Sequence, residues 1–240
     1  MQNKYPQKPG IDFIMKQAFF YWNKTLLFQV MFSIIYFSLF FTIFFYFSER
    51  YGIVAQSQEA AEQLKISTDA YLTAVAKMSA SEGFQKFSWA ILGTSVFLYP
   101  LNLGFFQIFR KIDLGEKIEI ADLFVGYNGT NFFRYVGYYL FWIIIYSYTF
   151  QTIILGVVWV FVTLFVAPLM FFMDKRLFEA ISLNFKALKI YFIEILVCVL
   201  VAFLFKYLGF LLFFVGGLFT FPFWNAMIYS LYKTVFSEKS

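Results

Sequence analysis

The sequence contains no histidine, a single cysteine and few charged residues, and these shortages exclude several classes of protein. Without histidine, a Ser-His-Asp or Cys-His nucleophile system cannot form, and the common zinc and haem ligand sets are missing. The lone Cys198 cannot close a disulfide within the chain, and its place in an apolar run predicts a small packing residue. We therefore predict no cofactor, no metal site and no enzymatic activity.

Hydrophobic residues are in large excess. They make up 61% of the 240 residues, aromatic residues make up 25%, and only 14% are charged, against about 25% charged in ordinary soluble domains. A soluble fold could not hide so much apolar surface, and exposure to water costs about 25 cal/mol per Å². The nineteen basic residues are scattered, unlike the clustered basic face that binds nucleic acid. The composition predicts an all-helical integral membrane protein with no nucleic-acid partner.

Long apolar runs predict six membrane spans. A bilayer core about 30 Å thick needs about 20 helical residues. Two runs are twice that length, so each must hold two spans, which meet near Gln151 in the first run and near residues 206–209 in the second. The predicted spans form three hairpins in a single transmembrane domain over 1–240, and they lie at 25–48, 88–109, 132–151, 153–173, 190–206 and 210–232.

Lysine and arginine residues are unevenly distributed between the loops. With the N-terminus inside, fourteen of the nineteen fall in cytoplasmic segments, and the other five are Arg50, Lys65, Lys77, Lys86 and Lys206. Cytoplasmic loops of membrane proteins carry such an excess. We therefore predict that both ends are cytoplasmic, that 49–87 is an extracytoplasmic helical insertion, and that the chain is a multi-pass membrane protein.

The pattern FxxP recurs in the three spans predicted to run from outside to inside. It ends at Pro100, Pro168 and Pro222. Proline lacks an amide hydrogen and clashes with the carbonyl four residues earlier, so each proline predicts a kink and a released carbonyl. An amphipathic stretch precedes each hairpin, which predicts interfacial helices within 11–22, 118–133 and 176–190. The alternative to a threefold repeat is coincidence in a phenylalanine-rich chain.

The polar segment 49–87 predicts a pair of helices. Residues at alternating spacings of three and four indicate one apolar stripe, with Ser67, Thr68 or Asp69 as caps of a second helix. The predicted stripe consists of Val54, Ser57, Ala61, Leu64, Thr68, Tyr71, Val75 and Met78. It could dock an envelope partner, or the segment could be a spacer folded on its own hairpin.

Four polar side chains at membrane depth are candidate functional residues: Asn102, Gln151, Glu194 and Asn225. Asn102 and Asn225 follow span prolines closely, so they are expected to bond carbonyls released by the kinks, with substrate contact as the alternative. Glu194 is the only carboxylate within a predicted span. It is expected to pair with Lys189 or Arg176, and a transport site is the alternative.

Three motifs carry a resemblance to a known family. They are ADLFVGY at 121–127, VAPL at 166–169 followed by Asp174 and FEAI at 178–181, and LFTFP at 218–222 leading to Tyr229. Over 101–235 the chain resembles a bacterial family of six-span integral membrane proteins of unknown function. That family is related to the membrane domain of some glycerophosphodiester phosphodiesterases. The resemblance implies a six-span fold and a membrane location, and no activity.

Two functions are compatible with the sequence. The first is a non-enzymatic accessory or scaffold subunit that contacts membrane lipids and another membrane or envelope protein, with 49–87 as a candidate contact segment. The second is a transporter or flippase for a hydrophobic or lipid-like substrate, because kinked helices in repeated units can line a site at the membrane midplane. A continuous polar cavity lined by the candidate residues would favour the second.

Overall fold

The computed structural model describes residues 10–211 and 215–236, and these residues contain helices and no strand. The α-helices of the described ranges, in chain order, are α1 Ile11–Lys24, α2 Leu26–Arg50, α3 Ile53–Gln63, α4 Thr68–Ala80, α5 Glu82–Leu98, α6 Leu101–Leu114, α7 Thr130–Thr149, α8 Ile153–Thr163, α9 Val166–Phe172, α10 Leu177–Leu211, α11 Val215–Thr220 and α12 Phe223–Phe236. A 3-10 helix at Ile120–Tyr127 separates α6 from α7. The all-helical fold class is confirmed.

Four helical stretches of the described residues are long and apolar enough to cross a membrane. Counted across short breaks, they are Leu26–Arg50, Glu82–Leu114, Ile153–Phe172 and Leu177–Leu211. Large apolar side chains on α2, α8 and α10 are exposed, as suits contact with lipid. Together these features indicate a membrane protein.

The other two predicted spans look different in the structure. Helix α7 covers most of 132–151 and is 20 residues long, but its tyrosines and Arg134 make it more polar than the four stretches. The span at 210–232 includes 212–214, which lie outside the described residues. The bend predicted near 206–209 is wrong, because α10 continues through this region to Leu211.

The backbones of helices α10 and α11 are in direct contact with each other at Gly209 and Gly216. A Cβ added to Gly209 would lie 2.6 Å from the carbonyl oxygen of Gly216. The Thr220 hydroxyl donates to the carbonyl of Lys206 at 3.1 Å. Glycines at this contact therefore allow the two helices to pack more closely than any side chain would permit.

Contacts divide the chain into two compact units. One is Ile35–Leu98, and the other combines the described residues before and after it. The Ile35–Leu98 unit is larger than the predicted 49–87 insertion, because it also contains the end of α2 and all of α5. Within it Phe44 packs on Phe87, with ring centroids 5.4 Å apart.

The inner face of α3 differs from the predicted stripe. Val54 and Leu64 are exposed, and Ile53 and Ala60 are buried instead. The phase is wrong by one residue, about 100° around a helix, because the buried face is the one that packs on α4 and α5. The Gln56 side chain lies on that face and donates to the Tyr51 carbonyl at 3.3 Å. On α4, Tyr71, Val75 and Met78 are partly covered, as predicted, and Ser67 is the N-cap, accepting from the Ala70 amide at 3.0 Å. The two helices pack on each other, which favours the spacer interpretation.

The larger unit is built around α1, α6 and α12. Ile14, Ala18 and Tyr21 of α1 are buried against α12 and its neighbours. Within α6, Phe105 and Phe109 are fully buried and stack with ring centroids 5.7 Å apart. Aromatic packing of this kind contributes beyond its buried area, which suits a chain so rich in phenylalanine.

The predicted amphipathic stretch 118–133 is not an interfacial α-helix. Its central part is the 3-10 helix, which packs on α6 with Leu123 and Gly126 buried. Gly104 of α6 lies against the Leu123 backbone, and Gly126 lies against the Pro100 carbonyl. The prediction is wrong here because two glycines allow a close backbone contact that an apolar periodicity does not show.

Candidate functional site

Each of the three span prolines lies where one helix ends and another begins. Pro100 immediately precedes α6, Pro222 immediately precedes α12, and Pro168 is the third residue of α9. Proline is tolerated in the first helical turn, because the amide groups there have no partner within the helix. The breaks leave backbone groups that must find other partners in an apolar environment.

At the Pro168 break these partners come from one side chain, Asn184 of α10. Its Oδ1 accepts from the Phe165 amide at 2.8 Å. Its Nδ2 donates to the carbonyls of Phe161 at 2.9 Å and Val162 at 2.7 Å. Asn184 is fully buried, so a single amide closes the gap between α8 and α9.

At the Pro222 break the partners come from the N-terminal part of the chain. The Ser33 hydroxyl donates to the carbonyl of Leu218 at 2.7 Å, which is the carbonyl four residues before the proline. The indole of Trp22 donates to the next carbonyl, that of Phe219, at 2.8 Å. Helices α1 and α2 therefore hold α11 where it breaks.

At the Pro100 break the two asparagines selected from the sequence meet. Asn102 Nδ2 donates to the Tyr99 carbonyl at 3.0 Å, and Asn225 Nδ2 donates to Asn102 Oδ1 at 3.1 Å. The Asn225 backbone amide donates to the Pro222 carbonyl at 2.9 Å. Asn102 and Asn225 thus link the Pro100 and Pro222 breaks of α6 and α12.

The other two candidate residues are separate from this pair. Gln151 is exposed in the 150–152 turn between α7 and α8. Glu194 is half-buried on α10, and no cation of the described residues lies within ion-pair distance of it. The predicted pairing with Lys189 is wrong: the helix is kinked between the two residues, at Tyr191 with φ −118° and ψ 29°, and the Lys189 ammonium lies over the Phe185 ring at 4.8 Å. The predicted pairing with Arg176 is wrong as well.

A second polar cluster joins α1, α6 and α12. The hydroxyls of Tyr21 and Tyr229 donate to the two oxygens of the Asp113 carboxylate at 2.5 and 2.6 Å. The Lys233 ammonium pairs with the same carboxylate at 2.8 Å and donates to the Tyr21 hydroxyl at 3.1 Å. The Asp113 side chain is only 23% exposed, so these bonds are largely shielded from solvent.

The tyrosines of this cluster serve as hydrogen-bond donors. Burial, with the neighbouring Asp113 carboxylate adding to it, raises the pKa of the Tyr21 phenol well above its ordinary value. The phenol therefore keeps its proton at neutral pH and can donate to Asp113. A separate hydrogen bond also joins α12 to α1: the Ser230 hydroxyl donates to the Ile14 carbonyl at 2.8 Å.

A third polar group lines an open pocket of about 450 Å³ between α7, the end of α9 and the start of α10. Arg134 pairs with Asp174 and donates to the Lys175 carbonyl at 2.8 Å. Asp174 has a positive φ of 51°, a conformation that aspartate tolerates better than most residues. The remaining lining residues are Gly137, Tyr138, Met170, Arg176 and Leu177.

Sequence reasoning missed Asn184, Asp113 and the pairing of Arg134 with Asp174. Asn184 lies in an amphipathic stretch, and the residues three and four positions before and after it are apolar. An amide on such an apolar face indicates a buried side chain that hydrogen-bonds to another part of the protein. Asp113 follows the end of the predicted span at 109 and, beside Arg110 and Lys111, has the sequence pattern of a charged loop residue. No sequence spacing relates Arg134 to Asp174, because the contact forms between α7 and the distant connection that joins α9 to α10.

No family model, no curated protein and no solved structure matches the chain. What is established is therefore the class alone: an all-helical chain with four stretches suited to crossing a membrane. The resemblance to the six-span family stays a prediction that rests on the quoted motifs.

Proposed function

We propose that this chain is a non-enzymatic accessory or scaffold subunit of a bacterial inner membrane. It crosses the membrane six times in three hairpins, with both ends in the cytoplasm. It acts by contacting membrane lipids and at least one other membrane or envelope protein.

This proposal rests on the hydrogen bonds that the polar side chains of the apolar helices make within the protein. Asn184 closes one helix break, Ser33 closes another, and Asn102 bonds to Asn225. These polar groups form hydrogen bonds within the protein, as is typical of a rigid scaffold. Because Asn102 and Asn225 bond to each other, they are less suited to line a polar path for a transported substrate. Exposed apolar side chains on the outer faces supply the contact surface for lipid and partner.

The proposed topology is tested by labelling introduced cysteines in intact cells, with Cys198 replaced by alanine. Ser79→Cys lies on α4 in the proposed outside segment, and Glu116→Cys lies in a proposed cytoplasmic loop; both positions are exposed. A membrane-impermeant maleimide should label Ser79→Cys at least tenfold more strongly than Glu116→Cys, and lysis should equalise the two. Equal labelling before lysis would contradict the topology.

The accessory role is tested by purification from native membranes in mild detergent. We expect a second protein to be retained in fixed stoichiometry. Ile66 is 73% exposed between α3 and α4, so Ile66→Ser should reduce that retention severalfold, because a buried isoleucine in an interface contributes about 2 kcal/mol. The matched control Gln58→Ser changes an exposed polar residue of α3 and should have no effect. Migration as a lone protomer, with neither protein nor lipid retained, would overturn the role.

A further inference from the structure

The pocket between α7 and α10 contains an arginine held in a fixed position. The Arg134 guanidinium bonds at one nitrogen to Asp174 and at the other to the Lys175 carbonyl. Its side chain is 30% exposed, and part of it lines the pocket wall. A guanidinium fixed at two points loses little freedom when it also contacts a ligand.

A second arginine lies on the same pocket without such a pairing. Arg176 is exposed, and no carboxylate of the described residues lies within salt-bridge distance of it. Its neighbour Lys175 pairs with Glu179 at 2.8 Å. Arg134, Lys175 and Arg176 thus face two carboxylates, Asp174 and Glu179, so the group carries one net positive charge, and Arg176 is the cation of the group without a close ion pair to any described residue.

The surroundings of this charge are apolar. Met170 and Leu177 line the pocket. Phe133 and Phe178, each next in sequence to a lining residue, are 75% and 74% exposed. Near the end of membrane helices, such side chains suit acyl chains, and a lipid phosphate would come to rest at the level of the arginines.

We propose that this pocket binds the phosphate of an anionic phospholipid headgroup. Arg176 contacts the phosphate oxygens directly, Arg134 adds a second guanidinium, and the acyl chains lie beside Phe133 and Phe178. A free phosphate ester shares the headgroup chemistry, but it would leave the two phenylalanines uncovered. The site deepens the proposed lipid-contacting role and rests on it for the presence of a membrane.

Binding is tested by native mass spectrometry of the purified chain in mixed micelles titrated with phosphatidylglycerol. Arg176→Gln should weaken binding about tenfold, the effect of losing one charge-assisted hydrogen bond. Lys186→Gln removes an exposed cation of α10 that does not line the pocket, so it should change binding less than twofold. Asp174→Asn keeps a residue that tolerates positive φ and removes a repelling carboxylate, so it should strengthen binding severalfold.

Filling the pocket gives an independent test. Gly137 has nothing within 4 Å of an added Cβ, so Gly137→Leu should fold and obstruct the pocket. Gly93→Leu makes the same change at another helical glycine with open space and is the matched control. Phosphatidylglycerol binding should be lost in the first variant and kept in the second, with Cys198 remaining protected from maleimide in both.

Three results would overturn the site. They are unchanged phosphatidylglycerol binding in Arg176→Gln, equal affinity of the wild-type chain for phosphatidylcholine, and complete displacement of the lipid by millimolar inorganic phosphate. The last result would assign the pocket to a soluble phosphate. Each of them leaves partner retention untouched, so failure of this site is distinguishable from failure of the accessory role.

Discussion

Replacing Asn184 with alanine is expected to lower the free energy of unfolding by about 4 kcal/mol. The substitution leaves the amide of Phe165 and the carbonyl of Val162 without the Asn184 side chain, and the carbonyl of Phe161 keeps only the Leu164 amide at 3.4 Å. A buried polar group that loses its hydrogen bond costs about 1–3 kcal/mol. Because α8 and α9 are separated at this point, the Phe165 amide and the Val162 carbonyl do not lie within one continuous helix that could supply new partners.

The chain's single cysteine provides the measurement. Cys198 is fully buried, so a fluorogenic maleimide reacts with it only when the structure opens. At about 2–4 °C per kcal/mol for a chain of this size, Asn184→Ala should lower the labelling midpoint by about 8–16 °C. Asn131→Ala makes the same change at an exposed position of α7 and should shift it by less than 2 °C. Equal midpoints for the two variants would contradict the role given to Asn184.

Gly104→Ala is expected to destabilise the protein by about 3 kcal/mol. A Cβ at this position would overlap the backbone of Leu123 in the 3-10 helix. No rotamer change can move a backbone atom aside, so α6 and the 3-10 helix must separate. Overpacking of this kind costs about 1–3 kcal/mol and occasionally more.

A glycine-to-alanine change at a position with open space is the control for the general effect of adding a methyl group to a helix. Gly93 of α5 has nothing within 4 Å of an added Cβ. Gly93→Ala should therefore be neutral or stabilising by up to about 1 kcal/mol, because alanine favours the helix. The Cys198 labelling midpoint measures both variants. If Gly104→Ala melts at or above the wild-type temperature, the close contact between α6 and the 3-10 helix does not exist.

The helical class and the approximate helix positions could be predicted because both depend on local properties. The apolar run 132–173 is twice as long as a bilayer is thick, which predicts a turn near Gln151, and the chain does turn at 150–152. Proline cannot continue a helix, and the helix ends at Leu98, Thr163 and Thr220 all lie within five residues of a proline. The cap at Ser67 follows from its hydroxyl and the helical pattern after it.

The contacts between helices could not be predicted, because they depend on which faces meet. The stripe on α3 was assigned from Val54 and Leu64, whereas the buried face is set by where α4 and α5 pack. Glu194 was given a partner five positions away, and the structure provides none there. The sequence predicts that Asn102 and Asn225 each bond a released carbonyl. In the structure Asn102 donates to the Tyr99 carbonyl, which also accepts from the Asn102 backbone amide, and Asn225 donates to Asn102.

The polar clusters show the same limit. Asp113, Tyr229 and Lys233 are dispersed in the sequence and read as ordinary loop or span residues. Their association depends on α12 packing beside the C-terminal ends of α1 and α6. A single sequence carries no signal for that return, since each residue is individually compatible with several environments.

The pairing of α1 with α12 has a consequence for the order of assembly during synthesis. The Ser230 hydroxyl and the Ile14 carbonyl that it bonds are separated by 216 positions. At about 5–20 residues per second, a ribosome needs roughly 10–40 s to make that length of chain. Throughout this interval Ile14 and Ala18 have been made but their partner helix has not, so the nascent N-terminal helix must wait at the membrane surface or on an insertion factor. Helix α1 can therefore take its place against α12 only after α12 has been synthesised.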